Sequence, residues 1–293
     1  MKKIIKAPGK INIFLSVNGV RPDKYHDLSM IMQCVSIFDT MEIEILKDKK
    51  KEITLITDKP YLPTDNRNLI YQVIKYMQNK YNISDSFKVK VKKLIPTSAG
   101  LGGGSSDAAS VLHFINNTYK LKISISDLSN ISSIFGSDIP FFIYKHESIC
   151  RGRGEIVTPI KNYNNYFILL ATPNIRVSTK EIFSKYEVIS NDYISKEFKE
   201  KNLDDLVLAI GNKKIKDIAR LLYNDLEKVT ESMFPDVTYF KRRMTELGAI
   251  NSLMSGSGPT VFGIFTSLLK AINCKNILKK EYKDAFVFVA RPV

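Results

Sequence analysis

A glycine-rich stretch flanked by hydroxyl side chains is the part of this sequence best suited to chemistry. It runs from residue 96 to residue 107 and holds four of the fourteen glycines. An apolar pattern with helical spacing follows at once, so we expect a helix to begin there. Glycine permits positive φ, and the unpaired amides of a first helical turn attract anions. The stretch therefore predicts a phosphate-binding loop, with Ser105 or Ser106 as the helix N-cap and Asp107 in the first turn.

Two common glycine-rich motifs do not match this stretch. A P-loop would end in Gly-Lys-Ser/Thr, whereas these glycines run into Ser-Ser-Asp without a lysine. A dinucleotide-binding fingerprint would keep the spacing Gly-x-Gly-x-x-Gly directly after a strand, and residues 100–104 do not. A flexible turn with a helix cap is the remaining alternative, although a plain turn rarely needs three consecutive glycines between hydroxyl side chains. We therefore expect a phosphate-binding loop of a third kind.

Single polar residues elsewhere are ambiguous when each is taken alone. Asp138 comes just before Pro140, which predicts a turn that leads into an apolar strand over residues 141–144. An aspartate that only caps this turn is as good an interpretation as a functional one. Lys10 follows a Pro-Gly pair, where a surface lysine at a turn is the simplest interpretation.

A polar loop over residues 21–28 contains the pair Tyr25-His26. Such a pair more often packs than binds a ligand. A tyrosine ring can nevertheless stack on an aromatic base, and a histidine can hydrogen-bond a base edge or a phosphate. The segment Arg-Gly-Arg-Gly-Glu at residues 151–155 could bind a phosphate, but we interpret it as a turn between domains.

The composition is that of a globular protein with an excess of basic residues. The chain has 293 residues, 44% of them hydrophobic and 25% charged, with a formal net charge of +14. The basic residues are scattered, and no zinc-finger spacing or aromatic RNA-binding motif accompanies them, so we expect no nucleic-acid partner. Three widely spaced cysteines fit a reducing compartment. No apolar segment approaches the length of a bilayer span. We expect a cytoplasmic protein, a monomer or a weak homodimer, without a membrane partner.

The periodicity predicts a chain in which helices and strands alternate irregularly. The long strand over residues 30–46 is expected to break at Phe38-Asp39. Further strands are expected over residues 53–57, 87–91, 166–170 and 285–290. Helices are expected over residues 69–80, 126–134, 203–230 with a break at Gly211, 235–247 and 268–280.

Three separated motifs resemble those of one family. The run Pro-Thr-Ser-Ala-Gly-Leu-Gly-Gly-Gly-Ser-Ser at residues 96–106 resembles the central loop of the GHMP kinases, the galactokinase, homoserine kinase, mevalonate kinase and phosphomevalonate kinase superfamily. In that family the loop wraps the phosphates of ATP. Lys-Ala-Pro-Gly-Lys-Ile-Asn at residues 6–12 resembles the first family motif, and residues 252–262 resemble the third. Gly-Ser-Asp-Ile-Pro-Phe-Phe at residues 136–142 is similar to the segment that carries the catalytic aspartate.

The resemblance implies the catalytic residues and the residues that bind ATP. Asp138 would take the proton of the acceptor hydroxyl or orient that hydroxyl. Lys10 would help to orient the Asp138 carboxylate and the acceptor hydroxyl, and it would supply positive charge. The residues that would bind ATP belong to the central loop: Pro96, Ser98, Ala99, Gly100, Leu101, Gly102, Gly103, Gly104, Ser105 and Ser106.

The resemblance also implies the class of substrate. Arg-x-Asp-x-Tyr-His-x-Leu at residues 21–28 resembles the branch of the superfamily whose small-molecule substrate carries a cytidine diphosphate. Tyr25 would stack on the pyrimidine, and His26 would hydrogen-bond the base or a phosphate. Asn12 would line the acceptor pocket. Thr179 and Phe183 would lie beside the cytidine, with Phe183 on the far face of the base from Tyr25.

The fold implied by the resemblance is a two-domain α+β kinase with its active site in the cleft between the domains. Residues 1–153 would form an N-terminal domain like the second domain of ribosomal protein S5, and residues 154–293 a ferredoxin-like C-terminal domain. The cofactors would be ATP and Mg²⁺, because triphosphate chemistry needs the charge of the metal ion. No residue is an obvious dedicated metal ligand, and Ser105 is the nearest candidate.

Two other functions remain open at this point. Another GHMP kinase of small molecules, such as homoserine kinase, would share the three motifs but would not depend on Tyr25 or His26. A basic nucleic-acid-binding protein on a related S5-like fold would show salt-dependent RNA binding without consuming ATP.

Overall fold

The computed structural model describes residues 1–160, 165–189 and 195–293. Within these ranges the chain mixes helices and strands, as the α+β prediction requires. The helices are α1 (Leu69–Lys80), α2 (Gly103–Thr118), α3 (Ile125–Ser133), α4 (Ile139–Tyr144), α5 (Thr179–Ile189), α6 (Lys196–Gly211), α7 (Ile215–Arg220), α8 (Glu227–Met233), α9 (Pro235–Glu246) and α10 (Leu268–Glu281). The strands are β1 (Lys2–Val20), β2 (His26–Leu46), β3 (Ile53–Thr57), β4 (Ser86–Lys92), β5 (Ser148–Gly152), β6 (Ile156–Pro159), β7 (Phe167–Thr172), β8 (Tyr223–Asn224), β9 (Asn251–Met254), β10 (Val261–Phe265) and β11 (Phe286–Ala290).

The strands of the described ranges form two sheets. The larger sheet has the order β3-β4-β2-β1-β8, with β5 paired to β2 and β6 paired to β5. The smaller sheet has the order β11-β7-β10-β9 and is antiparallel throughout. In its register Phe262 lies opposite both Leu170 and Leu253. Every residue of β10 is buried, so this strand lies in the core that the smaller sheet helps to form.

The chain divides into two compact units whose segments interleave along the sequence. Unit 1 consists of residues 1–9, 37–97 and 102–145, and unit 2 consists of residues 10–36, 98–101 and 146–293. The long strands β1 and β2 each contribute residues to both units, as does the glycine-rich loop. The domain boundary after residue 153 stays a prediction.

Unit 1 packs helices around the strands that lead into the glycine-rich loop. Strand β3 pairs in parallel with β4, and β4 pairs antiparallel with β2. Helix α2 packs against α1 and α4. The predicted apolar face of α2 is fully buried, which fixes the helix with its amino end at the loop. That face consists of Ala108, Val111, Leu112 and Ile115.

Unit 2 contains the smaller sheet and the helices that cover it. Helix α9 begins at Pro235, as predicted, and buries Val237, Phe240 and Met244 against β9 and β10. Strand β8 pairs in parallel with β1 and interrupts residues 203–230, which we expected to be helical with one break at Gly211. That stretch instead contains the end of α6, then α7, β8 and the start of α8, and two residues are too short to show the period of a strand. Among the helices of the described ranges, none combines the length and the hydropathy that a bilayer crossing requires.

Two predictions about strands are wrong. Strand β2 continues through Phe38-Asp39 without a break, because the buried Asp39 carboxylate has ionic and backbone partners there. Residues 141–144 are helical rather than extended, since Pro140 occupies the first turn of α4. Proline is favoured at that position because its missing N–H is not needed there.

The predicted start of α2 is also wrong. Gly102, rather than a serine, is the N-cap, and it adopts a left-handed conformation with φ of 67°. The helix therefore begins earlier than the hydroxyl side chains suggested. Asp107 lies beyond the first turn and is buried, so it does not act on the helix dipole in the predicted way.

Candidate active site

The amino end of α2 is open and lined by glycine. In the described part of the chain no side chain caps this helix. Its first backbone hydrogen bond runs from the Ser106 N–H to the Gly102 oxygen, at 2.9 Å, so the amides of the three residues between them lack helical partners. A Cβ on Gly104 would find only Leu69 Cδ1 nearby, at 3.9 Å. The helix end is therefore open at Gly104, whereas a Cβ on Gly103 would lie 3.0 Å from Ile95 Cγ2 and 3.2 Å from Asp39 Oδ2.

A buried ion network adjoins this helix end. The Lys93 ammonium donates to the Asp39 carboxylate and to Asp107 Oδ2, the latter at 2.6 Å. Asp39 Oδ1 also accepts the backbone N–H groups of Leu94 and Ile95, at 2.7 and 2.9 Å. The three ionic side chains are at most 5% exposed. The network thus ties β2 and α2 to the segment that enters the glycine-rich loop.

Two carboxylates share one ammonium in this network, and the pKa values reflect it. Burial raises the pKa of the Asp107 carboxyl, Lys93 opposes this shift and Asp39 adds to it, so that the pKa is about 7. Burial alone would lower the pKa of Lys93, but the attraction of Asp107 and Asp39 outweighs burial and leaves that pKa raised. A proton on Asp107 near neutral pH would relieve the excess of buried negative charge.

Parts of the three motifs meet within unit 2. The Lys10 N–H donates to the Leu101 oxygen at 2.9 Å, and the Asn12 N–H donates to Ser255 Oγ at 3.2 Å. Ser255 Oγ in turn donates to the Gly100 oxygen at 2.9 Å. The Lys10 ammonium donates to Asn12 Oδ1. Lys10 is only 4% exposed, so the interpretation as a surface lysine at a turn is wrong.

Gly100 is the point of closest approach between the loop and the third motif. Its φ is 75°, and a Cβ there would lie 2.1 Å from the Ser255 backbone oxygen. A Cβ on Gly256 would lie 3.5 Å from Asn12 Oδ1 and 3.7 Å from Lys10 Nζ. Only glycine fits at position 100, because any side chain would overlap the facing backbone.

Two side chains of other elements form hydrogen bonds with the third motif. Asn224 Nδ2 donates to the oxygens of Met254 and Gly256, both at 2.8 Å. Thr179 Oγ1, at the start of α5, lies 2.8 Å from Ser257 Oγ. The structure thus joins the predicted substrate residue Thr179 to this motif. Asn224 was missed because residues 203–230 were expected to be largely helical, and a single asparagine there carries no signal of a binding role.

The residues predicted to bind the cytidine take part in two separate ring contacts. The His26 ring stacks on the Phe183 ring, with centroids 4.5 Å apart, and its Nε2 lies 2.8 Å from Glu187 Oε1. Tyr25 is 56% exposed, and its ring centroid lies 4.8 Å from the guanidinium carbon of Arg153. The structure brings Phe183 against His26, and the placement of a base between Phe183 and Tyr25 stays a prediction.

Asp138 belongs to the same unit as the open helix end. It is the half-buried N-cap residue of α4, and α4 packs against α2. The predicted site residues of unit 1 are Pro96, Gly102, Gly103, Gly104, Ser105, Ser106 and Asp138. Those of unit 2 are Lys10, Asn12, Tyr25, His26, Ser98, Ala99, Gly100, Leu101, Thr179 and Phe183.

Several loop residues can offer only their backbone to a ligand. Ala99, Leu101 and Ser106 are at most 3% exposed, whereas Gly104 is exposed and Ser105 is half-buried. The Ser106 hydroxyl is buried and has no hydrogen-bond partner in the described ranges. The roles of these residues in binding ATP stay predictions.

A dedicated metal site would need several ligand side chains in one place. Within the described ranges no group of three histidine, cysteine, aspartate or glutamate side chains is placed to hold a metal ion. Mg²⁺ in phosphoryl-transfer sites usually keeps several waters and binds one or two protein groups together with substrate phosphates. The half-buried hydroxyl of Ser105 beside the open helix end fits that limited requirement.

Comparison with known families defines the class of protein. Residues 68–146 match the family model "GHMP kinases N terminal domain", and residues 206–284 match "GHMP kinases C terminal". These two matches include the whole glycine-rich stretch over residues 96–107, helix α2, Asp138 and the third motif. The chain belongs to the GHMP kinase family.

Individual relatives extend this match over nearly the whole chain. A 4-diphosphocytidyl-2-C-methyl-D-erythritol kinase from Clostridium botulinum is 39% identical over 96% of this chain and 98% of its own length. A kinase of the same name from Clostridium beijerinckii is 40% identical over 97% and 98%. The crystal structure of a 4-(cytidine 5'-diphospho)-2C-methyl-D-erythritol kinase matches with a TM-score of 0.79 and 26% identity over 99% of both chains.

The fold alone is shared more widely. A homoserine kinase from Cytophaga hutchinsonii has the same TM-score, 0.79, at 19% identity, with 99% of this chain and 95% of the other covered. The two-domain GHMP kinase fold predicted from the motifs is therefore confirmed.

Proposed function

We propose that this protein transfers the γ-phosphoryl group of ATP to the 2-hydroxyl of 4-diphosphocytidyl-2-C-methyl-D-erythritol, in the non-mevalonate route to isoprenoid precursors. The observation that carries the proposal is the 39% identity, over nearly the full length, to a kinase named for that substrate. The reaction needs a site for a triphosphate, a group that directs the hydroxyl, and a site for the cytidine half of the acceptor.

The amino end of α2 is the proposed site of the ATP phosphates. Its unpaired amides and the positive end of the helix dipole favour negative charge. The glycines keep side chains away from these amides, as the open space at Gly104 illustrates. Most of the catalysis in phosphoryl transfer comes from such positioning and electrostatic stabilisation.

Asp138 is the proposed group that directs the acceptor hydroxyl. A carboxylate is a far weaker base than an alkoxide, so its main effect is to aim the hydroxyl oxygen while the phosphoryl group leaves ATP. Lys10 supplies positive charge, and its hydrogen bond to Asn12 holds both side chains in a fixed arrangement. Tyr25, His26, Thr179 and Phe183 bind the cytidine half.

Mg²⁺ is the proposed metal cofactor, with the Ser105 hydroxyl as the protein group nearest to it. When bound, Mg²⁺ neutralises part of the charge on the triphosphate. The protein acts in the cytoplasm as a monomer or a weak homodimer in this proposal.

An ADP-release assay across several acceptors tests the proposed function. We expect turnover with 4-diphosphocytidyl-2-C-methyl-D-erythritol and none with homoserine or mevalonate. The Asp138→Asn variant provides a control for contaminating kinases, because its preparation should release ADP at least about a hundredfold more slowly with every acceptor. Turnover of homoserine together with inactivity toward the cytidine-bearing alcohol would replace this function with that of another GHMP kinase.

A further inference from the structure

The turn between β5 and β6 directs an arginine toward Tyr25. Gly152 and Gly154 flank Arg153 with φ values of 71° and 115°. Glu155 closes the turn, because its Oε2 accepts the Arg153 N–H at 2.6 Å. A Cβ on Gly152 would lie only 2.9 Å from Glu155 Oε1. The glycines and the carboxylate together determine where the Arg153 side chain leaves the backbone.

The guanidinium of Arg153 lies against an aromatic ring and close to the carboxylates of Asp23 and Glu155. Its central carbon lies 4.8 Å from the Tyr25 ring centroid, within cation–π range. Its Nε lies 3.9 Å from Glu155 Oε1, which is too far for a hydrogen bond. That Nε is buried and has no acceptor within the described ranges, although the side chain as a whole is 34% exposed. A buried donor without an acceptor is costly and invites a ligand oxygen.

The other arginine of the same segment is engaged in a different way. Arg151 donates to Ser29 Oγ and to Glu200 Oε2, both at 3.0 Å. Arg151 therefore has a structural role that Arg153 lacks. The turn accounts for the glycines and for the direction of the Arg153 side chain, but it does not account for the buried Arg153 Nε, which has no acceptor within the described ranges.

Tyr25 is fixed through its backbone and exposes its side chain. Its N–H donates to Asp23 Oδ1 at 3.1 Å, and its carbonyl oxygen accepts the Arg21 N–H at 2.7 Å. The residue is 56% exposed, so much of the ring is accessible while Arg153 lies against it. An aromatic ring backed by a cation is a suitable surface for a base that carries phosphates.

This inference rests on the proposed function and adds a residue to it. We propose that Arg153 recognises the diphosphate of the diphosphocytidyl group, with its guanidinium positioned by the Tyr25 ring. The planar guanidinium presents several N–H donors to phosphate oxygens, and its positive charge complements theirs. Arg153 is then a specificity residue for the acceptor and takes no part in binding ATP.

Calorimetric titration with cytidine 5'-diphosphate and with cytidine tests this role. The wild-type protein should bind the diphosphate more tightly than the nucleoside. Arg153→Met should weaken binding of the diphosphate roughly ten- to hundredfold. It should weaken binding of cytidine by less than about fivefold, because only the support of the Tyr25 ring is lost. Arg153→Lys, which keeps the charge, should retain part of the preference for the diphosphate.

Arg220→Met is the matched control. Arg220 is an exposed arginine of the same unit and is not among the predicted substrate residues, so its loss removes the same charge and should change neither affinity. If Arg153→Met weakens the binding of both ligands equally while the melting temperature stays unchanged, Arg153 only supports the Tyr25 ring. That result would overturn the inference. An unchanged preference in Arg153→Met would overturn it as well. If the wild-type protein binds ATP but neither cytidine ligand, the proposed function fails together with this inference.

Discussion

At the scale of single residues, the buried carboxyl of Asp107 makes stability depend on pH. Its pKa is raised by burial from an ordinary value of 3.8 to about 7. Between about pH 4 and pH 7, the folded protein therefore keeps a proton on Asp107 that the unfolded chain has released. The corresponding stabilisation is complete below about pH 4 and is lost as the pH rises toward 7.

We predict that Asp107→Asn removes this part of the pH dependence, because an amide does not titrate. The free energy of unfolding, measured by urea denaturation from about pH 4 to pH 8, should fall less steeply with pH in the variant than in the wild type. Asp205→Asn changes an exposed aspartate and should reproduce the wild-type slope. Equal slopes for Asp107→Asn and the wild type would contradict the raised pKa.

A second prediction at this scale concerns Asp138. Asp138→Asn preserves the size of the side chain but removes its charge and its ability to accept a proton. The rate of phosphoryl transfer should fall by about 10²- to 10⁴-fold, while the affinity for ATP should stay within about twofold. Single-turnover kinetics and ATP titration separate these two quantities. A variant with full activity would end the assignment of Asp138 as the directing group.

At the scale of elements, two glycines of one loop should respond in opposite ways to the same substitution. Gly100→Ala would place a methyl group 2.1 Å from the Ser255 oxygen at a φ of 75°. We expect it to destabilise the protein by about 1–3 kcal/mol, through strain and overlap with backbone atoms. Gly104→Ala meets no atom closer than 3.9 Å, and alanine is the better helix former by about 1 kcal/mol.

Gly104→Ala should therefore be as stable as the wild type or more stable, and yet bind ATP more weakly, because its methyl group lies where the phosphate would approach. Thermal unfolding and the KM for ATP provide the two measurements. If Gly104→Ala leaves the KM for ATP unchanged, the phosphates do not approach the helix end at this residue.

The elements also show how far the sequence alone could predict the structure. Helices α1, α9 and α10 and strands β3 and β4 agree with their predictions, because each has a clear apolar period and an end marked by a cap, a proline or a turn. The glycine-rich loop was recognised, but the start of α2 was not, since a left-handed N-cap glycine leaves no side-chain signal. Residues 141–144 were predicted as a strand because four apolar residues in a row have no period to distinguish strand from helix.

The buried network was missed for a related reason. Asp39 interrupts an apolar strand, and such an aspartate normally indicates a break or a turn. Its ionic partner Lys93 lies 54 residues away along the chain, and Asp107, the second carboxylate that pairs with Lys93, lies 68 residues away. Only the fold brings these three charges together. The contact of Thr179 with Ser257 was likewise outside the reach of local patterns. The sequence therefore did not predict which charges pair across elements, whereas the motifs could be recognised from local patterns.

At the scale of the whole molecule, the fold does not select the acceptor. The homoserine kinase structure matches this chain as well in TM-score as does the cytidine-directed kinase structure, 0.79 in both cases. The same architecture thus supports different alcohols. Selection of the acceptor must therefore come from side chains, and we predict that Tyr25 and His26 are among them.

A variant that carries both Tyr25→Ala and His26→Ala should separate the fold from the choice of acceptor. Ligand that binds only the folded protein stabilises it by about 2.7 kcal/mol at one hundred times its Kd. ATP should therefore raise the melting temperature of this variant as much as that of the wild type, since neither side chain lies in the glycine-rich loop. Cytidine 5'-diphosphate should stabilise the wild type and leave the variant unchanged. His146→Ala, at an exposed histidine of the same unit, should respond to both ligands. Folding and ATP binding serve as internal references in this experiment. If cytidine 5'-diphosphate still stabilised the variant, the cytidine would bind at other residues, and the assignment to the GHMP kinase family would still hold.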